Sequence, residues 1–480
     1  MLTVEEPEPV QEPAAPRVRR PTPKERRAAG KALRARAPLE AHAAFSRTPT
    51  SPDPVTLLEE QAVTRLPDLV PIRYGRMLQS PFAFYRGAAR VMAADLDGTP
   101  RSGLTVQMCG DAHVSNFGLF GSPERRLVFD ANDFDETLPG PFEDDVKRLV
   151  ASLVIAAREK GIGRKQRRAL AVAAGRRYRE AMAEFAVARD IDVWYSHIDA
   201  DELLQQLAPQ LDRGPRKRLA RALDNARTRD TLQAFGKLTE VVDGRLRIRA
   251  EPPLLVPLRD ILPETEEREL ESAFRGLIGQ YRASLQSDRR TLLERYSFVD
   301  MARKVVGVGS VGTRCWVVLL VGRDADDPLL LQIKEASPSV HEEFVGKSRY
   351  TNQGHRVVAG QRLMQQASDI FLGWQRTTGI DGVERDFYVR QLRDWKGSLE
   401  VAELRPEGLT IYGELCAWCL ARAHARSGDG VAIAGYLGSS PAFENALADF
   451  GEAYADVTEG DHHRLAEAAA TGRVRAQSDL

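Results

Sequence analysis

The sequence feature that most constrains this chain is residues 109–136, CGDAHVSNFGLFGSPERRLVFDANDFDE, a stretch rich in acidic side chains and glycine. Its first half holds Asp111, His113 and Asn116 in a short segment that glycines interrupt. An apolar run follows and predicts a short buried strand that ends at Asp130. We therefore expect carboxylates and a carboxamide to gather at the two ends of one strand.

These side chains offer oxygen ligands for a hard metal ion. The acidic residues at the end of the stretch are Asp130, Asp133, Asp135 and Glu136. Carboxylate and amide oxygens suit Mg²⁺ or Mn²⁺ better than a soft metal. One further aspartate beside such an ion is able to orient or deprotonate a hydroxyl group.

GDAHVSN also fits a metallophosphoesterase, in which Asp and His residues bind two metal ions. That chemistry needs several more histidines from separated loops. The chain has 8 histidines, and none lies in a second Gly-Asn-His or Gly-His-x-His pattern. His113 is therefore better interpreted as a residue that braces its loop than as a metal ligand.

The composition restricts the partners and the compartment. Lys plus Arg and Asp plus Glu are equal at 68 each, so the net charge favours neither a nucleic acid nor a membrane. No apolar stretch approaches the roughly 20 residues that span a bilayer, and the acidic, Pro-rich start is not a signal peptide. The 4 scattered cysteines, including Cys416-Ala-Trp-Cys419 within a helical pattern, suit a reducing cytoplasm. We expect a cytoplasmic protein.

At 480 residues the chain has room for two or more cores, and a cleft between lobes is expected. Residues 1–54 are poor in large apolar side chains and predict a disordered tail. Residues 55–295 predict a helical lobe that carries the acidic stretch, almost wholly helical from 164 to about 290. Residues 296–400 predict a small β-rich lobe, and 401–480 predict returning helices that complete the first lobe.

The small lobe begins with a glycine-rich segment, Gly307-Val-Gly309-Ser-Val-Gly312. A dinucleotide-binding unit would continue into a helix, but here the strand-like TRCWVVLLV follows. The context favours a hairpin loop whose bare backbone closes over phosphates. A simple tight turn is the alternative.

Lys334 lies in the second strand of the next predicted hairpin, whose turn is residues 322–328. A cation within the apolar run Leu-Leu-Leu-Gln-Ile-Lys needs an anionic partner. A nucleotide phosphate would serve. The alternative is a surface lysine whose charged end reaches the solvent.

These motifs resemble the protein kinase-like fold, especially its aminoglycoside phosphotransferase branch. GDAHVSN resembles the catalytic loop GDxHxxN, NDFDE resembles the metal motif, and GVGSVG with LQIKEA resembles the nucleotide loop and its strand lysine. The 12 residues from Asp133 to Asp145 match the family's step to a buried aspartate that anchors the catalytic loop. Over roughly residues 20–470 the chain also resembles the domain of unknown function 2252 family.

The order of the motifs differs from that of an ordinary kinase, in which the nucleotide lobe comes first. Here the catalytic-loop match lies about 200 residues before the glycine-rich loop. The helix GELCAWCLARAHARS resembles the one that normally leads into the catalytic loop. A circular permutation accounts for both features, and it is tolerated where the original termini lie close together. The expected fold is α+β, two-lobed, kinase-like and circularly permuted.

The resemblance implies a role for each residue. It makes Asp111 the catalytic base or hydroxyl-orienting group, with His113 in the same loop. It assigns the remaining roles as follows: Mg²⁺ to Asn116 and Asp133, with Asp130 or Asp135 as rivals; the α- and β-phosphates of ATP to Lys334; and the phosphate cover to Gly307, Gly309 and Gly312. In the family a helix glutamate pairs with the lysine. Here Glu342 and Glu343 precede the predicted helix, which itself offers His355 and Gln361.

The resemblance therefore implies an ATP- and Mg²⁺-dependent phosphotransferase. Its acceptor would be a hydroxyl group, more readily that of a small molecule than of a protein. A nucleotide-binding module without turnover, a metal-dependent phosphoesterase and a nucleotidyl transferase remain as alternatives. No nucleic acid or membrane partner is expected.

Overall fold

The computed structural model describes residues 21–48, 51–207, 213–229, 231–262, 278–379, 381–392, 395, 397 and 401–477. The helices are α1 (Pro23–Ala32), α2 (Pro54–Ala62), α3 (Val70–Met77), α4 (Pro81–Gly87), α5 (Ala89–Asp97), α6 (Phe142–Glu159), α7 (Arg164–Phe185), α8 (Asp190–Tyr195), α9 (Ala200–Leu207), α10 (Arg213–Thr228), α11 (Thr231–Leu238), α12 (Leu258–Ile261), α13 (Ser287–Leu293), α14 (Glu342–Val345), α15 (Gln353–Met364), α16 (Pro406–Ser427), α17 (Gly430–Leu437) and α18 (Ala442–Ala470). The strands are β1 (Thr105–Met108), β2 (Phe117–Gly121), β3 (Leu127–Ala131), β4 (Leu138–Pro141), β5 (Ile198–Asp199), β6 (Thr239–Val242), β7 (Arg245–Ile248), β8 (Leu255–Pro257), β9 (Ser297–Lys304), β10 (Cys315–Val321), β11 (Pro328–Glu335), β12 (Gly373–Thr378) and β13 (Glu384–Gln391).

The fold is mixed α+β, as the sequence predicts. The long helices α6, α7, α16 and α18 pack together around the largest apolar core. Strands β8 to β13 form one antiparallel sheet in the order β12-β13-β11-β10-β9-β8. Three smaller sheets pair β1 with β4, β2 with β3 and β5, and β6 with β7.

Both faces of the six-stranded sheet are buried. Along β10, Val318 and Leu320 belong to one apolar cluster, whereas Val317 and Leu319 belong to another. Successive side chains of a strand point to opposite faces, so a strand covered on both faces reads as a continuous apolar run. The predicted hairpin is confirmed, since β10 pairs with β11 in a register that sets Cys315 opposite Lys334.

Helix α6 passes through the helical core and begins the part of the fold that positions the acidic stretch. Glu143, Asp144 and Asp145 lie in its first turn, where the helix dipole favours negative charge. Almost all its residues are buried, because α7, α16 and α18 pack against it. The predicted start of this helix at residues 143–145 is confirmed.

The prediction that residues 164 to about 290 are almost wholly helical was wrong in part. Strands β6 and β7 form a hairpin there, and β8 joins the six-stranded sheet. The turn of the hairpin is Asp243-Gly244, and both residues have positive φ angles. Asp-Gly is a preferred pair for a two-residue turn of this kind, so the sequence carried a signal that the surrounding helical pattern obscured.

The predicted disordered tail differs from the structure from residue 21 onward, and residues 1–20 lie outside the described part. Helix α1 packs against α17, and Arg26 forms an ion pair with Asp429 at 2.7 Å. A Cβ on Gly30 would collide with the carbonyl oxygen of Ala432, and one on Gly435 with that of Arg27. The two backbones therefore touch, and small residues achieve the docking that large apolar side chains usually provide.

The end of helix α16 lies beside the start of strand β1. The backbone N–H of Gln107 donates to Ser427 Oγ at 3.1 Å. A Cβ on Gly428 would collide with the side chain of Val106. Two segments about 320 residues apart in the chain are therefore neighbours in space.

Within the described ranges, no helix combines the length and the apolar character that crossing a membrane requires.

The close contact between α1 and α17 generates a test of the ordered N-terminal segment. We expect Gly30→Ala to lower the free energy of unfolding by about 1–3 kcal/mol, because the new methyl group has no space. The matched control is Gly460→Ala inside α18, where nothing lies within 4 Å of the added carbon. Removing a helical glycine there should raise stability by about 0.5–1 kcal/mol. Urea unfolding measures both variants, and equal effects would contradict the docking.

Candidate functional site

A cavity of about 880 Å³ lies between the six-stranded sheet and the acidic stretch. Residues from two widely separated parts of the chain line it. The predicted site residues along its wall are Asp111, His113, Asn116, Asp133, Asp135, Gly307, Gly309 and Lys334. The predicted residues Asp130 and Gly312 do not belong to the wall.

A buried carboxylate fixes the segment that carries Asp111. Asp145, in the first turn of α6, accepts hydrogen bonds from the backbone N–H groups of Cys109 at 2.6 Å and Gly110 at 2.9 Å. His424 Nε2 of α16 lies 3.2 Å from the same carboxylate. Gly110 has a φ of +83°, and a Cβ there would collide with the carbonyl of Glu136. These contacts fix the backbone conformation of the segment, and position 110 requires a glycine.

Asp111 presents one carboxylate oxygen to the cavity. Arg148 of α6 contacts only Oδ1, through Nε at 2.8 Å and Nη2 at 2.6 Å. The guanidinium of Arg148 in turn stacks on the ring of Tyr85 at 3.9 Å. Burial raises the pKa of Asp111, and the charge of Arg148 opposes that rise. Oδ2 is the oxygen that remains for a ligand.

His113 lies next to that oxygen, with Nε2 3.8 Å from Asp111 Oδ2. Burial, together with the charges of Arg86 and Arg148, holds the pKa of His113 well below its ordinary value. The imidazole is therefore neutral at physiological pH. A neutral ring beside the carboxylate is consistent with a bracing role.

Asn116 and Asp133 are brought together by the pairing of β2 with β3. The backbone N–H of Asn132 donates to the carbonyl of Asn116 at 2.8 Å, which sets the two strand ends side by side. Asn116 Nδ2 donates to the carbonyl of Asp111 at 2.7 Å, so its amide oxygen is left for another partner. Burial and the charge of Asp135 raise the pKa of Asp133, and a bound cation would offset that cost.

These two residues fit a Mg²⁺ site that shares its ligands with a phosphorylated substrate. Mg²⁺ is typically bound by one or two carboxylates together with substrate phosphates. In the described ranges no cluster of three or more His, Cys, Asp or Glu side chains could hold a metal ion by itself. Asn116 and Asp133 alone would leave coordination positions of a Mg²⁺ ion for water or for phosphate oxygens.

Lys334 projects from β11 into the same region and is 3% exposed. Its Nζ lies 2.6 Å from Asp135 Oδ2 and 3.8 Å from Asp133 Oδ2. Burial lowers the pKa of Lys334, but the two carboxylates outweigh burial and raise it well above the ordinary value. The pKa of Asp135 falls to about 2, because Lys334 outweighs the opposing effect of burial. The lysine is therefore charged and has an anionic partner, as the sequence required.

The glycine-rich loop closes one side of the cavity and is held from behind. Arg65 donates to the carbonyls of Gly309, at 2.9 Å, and of Val311. The N–H of Leu66 donates to the carbonyl of Gly312 at 2.8 Å, and Arg76 donates to that of Val306 at 2.6 Å. We call these four contacts the loop clasp. Only the first two glycines of the motif line the cavity.

The third glycine of the motif has a different function from the predicted phosphate cover. Gly312 adopts a φ of +92°, and a Cβ there would press on the side chain of Arg65. Positive φ and close packing both favour glycine. Gly312 therefore turns the chain and makes room for the clasp.

Asp130, a predicted rival for the metal, has a structural role. Arg422 Nη2 of α16 lies 2.6 Å from its Oδ2, and the backbone N–H of Gln366 donates to the same oxygen at 2.9 Å. Its Oδ1 accepts from the N–H of Ala131 at 2.9 Å. Both side chains are almost completely buried. These donors use both oxygens away from the cavity.

The sequence did not identify two side chains that support the site. Arg148 lies in a helical run, and the sequence alone does not distinguish it from an arginine on the protein surface. Tyr388, on β13, donates to Asp135 Oδ1 at 2.6 Å. The available signal for Tyr388 was a polar group within the otherwise apolar part of its strand, FYVRQL.

The comparisons with known proteins assign no chemistry to this cavity. A family model described as "Uncharacterized protein conserved in bacteria (DUF2252)" matches residues 65–468. No curated protein and no solved structure matches the chain.

The different environments of Asp130 and Asp133 generate a stability test. Asp130→Asn should lower the free energy of unfolding by about 3–5 kcal/mol, because it leaves the charge of Arg422 buried without its partner. Asp133→Asn is the matched control, since it removes a carboxylate that is 33% exposed and repelled by Asp135. We expect a much smaller change there. Urea unfolding compares the two, and a larger loss for Asp133→Asn would contradict this assignment.

Glu143 generates a pH test of the start of α6. Its side chain is fully buried, and Oε1 accepts from the N–H of Ser102 at 2.8 Å. Burial raises the pKa of Glu143 from 4.5 to about 7. The folded protein therefore holds a proton that the unfolded chain releases, and this contribution to stability is lost as the pH rises from about 4.5 to about 7.

We expect this loss to be on the order of 3 kcal/mol. In Glu143→Gln the carboxyl group no longer titrates, so the loss between pH 5 and pH 8 should shrink by that amount. Urea unfolding of both proteins at the two pH values measures it. The same pH dependence in both proteins would show that Glu143 is ionised in the folded state.

Proposed function

The chain belongs to this family of uncharacterised bacterial proteins, DUF2252, and we propose that it is an ATP- and Mg²⁺-dependent phosphotransferase with a circularly permuted kinase-like fold. One observation carries the proposal. Asp111, Asn116 and Asp133 line the same cavity as Gly307 and Lys334, which follow about 200 residues later. That set contains the groups that position a triphosphate, its Mg²⁺ and an attacking hydroxyl in kinases.

The small lobe supports the kinase-like part of the proposal. The glycine-rich loop joins β9 to β10, and Lys334 lies on β11, the third strand in chain order of that series. Protein kinases likewise have a glycine-rich loop over the phosphates and a lysine on their third strand. The antiparallel pairing of β9, β10 and β11 brings loop and lysine to the same side of the cavity.

The contact between α16 and β1 supports the permutation. In an ordinary kinase-like chain, the helix that α16 resembles leads directly into the catalytic loop. Here the N–H of Gln107 donates to Ser427 Oγ at 3.1 Å, so a short link would join the two segments. A chain opened at that point keeps the two segments in contact, and permutation is tolerated where termini lie close together.

The cavity has the size and the walls for a nucleotide. Its volume of about 880 Å³ lies within the range of small-molecule sites. The wall also includes apolar side chains that suit a purine base, Leu392 among them. The phosphates would then extend toward Lys334 and the glycine-rich loop.

The chain's own residues would align the reaction. Asp111 Oδ2 would accept the proton of the acceptor hydroxyl as its oxygen attacks the γ-phosphorus, while Arg148 holds Oδ1 in place. Lys334 would contact the α- and β-phosphates and offset their charge. When bound to Asn116 and Asp133, Mg²⁺ would supply charge neutralisation on the phosphate oxygens. The bond between the γ-phosphorus and the oxygen that bridges it to the β-phosphate would break, and ADP would leave.

The cavity indicates a small acceptor. The opening beside Asp111 belongs to the same concave space as the nucleotide wall, and Gln61 and Arg86 also line it. An acceptor that enters with the nucleotide must share about 880 Å³ with it. This favours a small hydroxyl compound over a protein substrate.

A nucleotide-binding module without turnover is the second candidate. Lys334 pairs with the aspartates of the metal motif and not with a helix carboxylate. In active kinases the lysine–glutamate pair must be in place. This observation is compatible with binding alone, so the experiment must separate binding from transfer.

The test measures nucleotide binding and phosphoryl transfer separately. MgATP at 100 times its Kd should stabilise the protein by about 2.7 kcal/mol, seen as a rise in Tm. With an accepted hydroxyl compound from a screen, Asp111→Asn should retain the Tm shift and lose roughly 10²- to 10⁴-fold in turnover, the usual contribution of a general base.

Three results would overturn the proposal. The absence of any Tm shift with MgATP would remove the nucleotide site. Release of phosphate from model esters without nucleotide, unchanged in Lys334→Ala, would favour a phosphoesterase. A Tm shift without transfer to any acceptor would select the binding module.

A further inference from the structure

The helix that should supply a partner for Lys334 has no acidic residue. This helix is α15, the second helix after β11, and it reads QGHRVVAGQRLM. Its Gln361 lines the cavity but carries no charge. A buried ammonium group needs an anion, so the chain must meet this requirement from another element.

Asp135 meets it. Its Oδ2 lies 2.6 Å from Lys334 Nζ, and Tyr388 donates to its Oδ1 at 2.6 Å. Ser310 Oγ of the glycine-rich loop donates to Oδ2 at 3.3 Å. Three side chains from the small lobe thus converge on one carboxylate that follows β3 of the large lobe.

The two aspartates of the metal motif are not equivalent. Asp133 Oδ2 lies 3.8 Å from Lys334 Nζ, beyond hydrogen-bond distance. Both oxygens of Asp135 are already hydrogen-bonded to side chains, so a metal ion would have to displace these donors. Asp133 is therefore the better metal ligand, and Asp135 is already committed to the lysine.

We propose that Asp135 is the positioning residue for Lys334, in place of a helix glutamate, and that Tyr388 and Ser310 orient it. This inference rests on the proposed function. Asp135 would act through the lysine, which contacts the phosphates, and not as a ligand of Mg²⁺. Because the carboxylate belongs to the metal motif itself, the lysine and the metal site would be aligned by one short segment, Asp133-Phe-Asp135.

The experiment compares Asp135→Asn, Lys334→Met and the double variant. For the phosphotransferase reaction, we expect kcat to fall about 100-fold in Asp135→Asn, the scale of a 1 Å misplacement. The double variant should be no worse than Lys334→Met, because residues that act as a unit are not additive. Asp135→Glu should recover part of the loss. Asp326→Asn, in the exposed turn between β10 and β11, controls for the loss of one carboxylate.

Mg²⁺ titration separates positioning from ligation. With Asp135→Asn, we expect the Mg²⁺ concentration for half-maximal activity to stay within about 2-fold of wild type, since Asn116 and Asp133 are intact. Tyr388→Phe, which keeps the ring and removes the donor to Asp135, should lower kcat by a smaller factor than Asp135→Asn. A rise of about 10-fold or more in the Mg²⁺ requirement, with kcat restored at high Mg²⁺, would overturn the proposal.

A ligand-free readout keeps the proposal distinct from the proposed function. The Tm values of the wild type, Asp135→Asn, Lys334→Met and the double variant, measured without nucleotide, form a double-variant cycle. Losses of Tm that do not add would support the Lys334–Asp135 pair even if the wild type proved unable to bind MgATP, in which case only the proposed function fails. If the losses add in both Tm and kcat, Asp135 does not act through Lys334.

Discussion

The rest of the site depends on one interaction. The buried carboxylate of Asp145 accepts hydrogen bonds from two backbone N–H groups. It ties residues 109 and 110 to the start of α6, and His424 ties the same carboxylate to α16. The segment of Asp111 is thus held by two helices that are about 280 residues apart in the chain. Because β2 and β3 continue from that segment, Asn116 and Asp133 inherit their positions from it. The small lobe then needs to supply only Lys334 and the glycine-rich loop.

Buried charge gives this arrangement its specificity. The pair Arg422–Asp130 is removed from water and the pair Arg148–Asp111 is largely so, and the cost of desolvation limits their net contribution to stability. Their geometry has a clearer effect, because each arginine uses one side of a carboxylate. Arg148 occupies Oδ1 of Asp111 and leaves Oδ2, whereas Arg422 and backbone donors use both oxygens of Asp130 away from the cavity. Asp111 thus faces the cavity, whereas Asp130 joins two elements of the core.

Local pattern predicted the α+β character, the β10–β11 hairpin and the start of α6, since each depends on neighbouring residues. Of the ten residues that were predicted for the site, eight line the cavity. Local pattern did not separate Asp130 from Asp133, because both lie at the end of one strand and Arg422, the charged partner of Asp130, lies 292 residues away in the chain. The order of α1 escaped prediction for a similar reason. A segment with few large apolar side chains gives no hydrophobic signal, and its docking depends on two glycines that allow contact with α17.

The loop clasp has a consequence for how fast a bound ligand is exchanged. In many nucleotide-binding proteins a glycine-rich loop opens without movement of the rest of the protein. Here Arg65 and Leu66, from the segment between α2 and α3, and Arg76 of α3 bind the carbonyls of the loop. Release would then require these hydrogen bonds to break together or the whole cleft to widen. In the proposed phosphotransferase, product release would therefore limit the rate of turnover more than the chemical step.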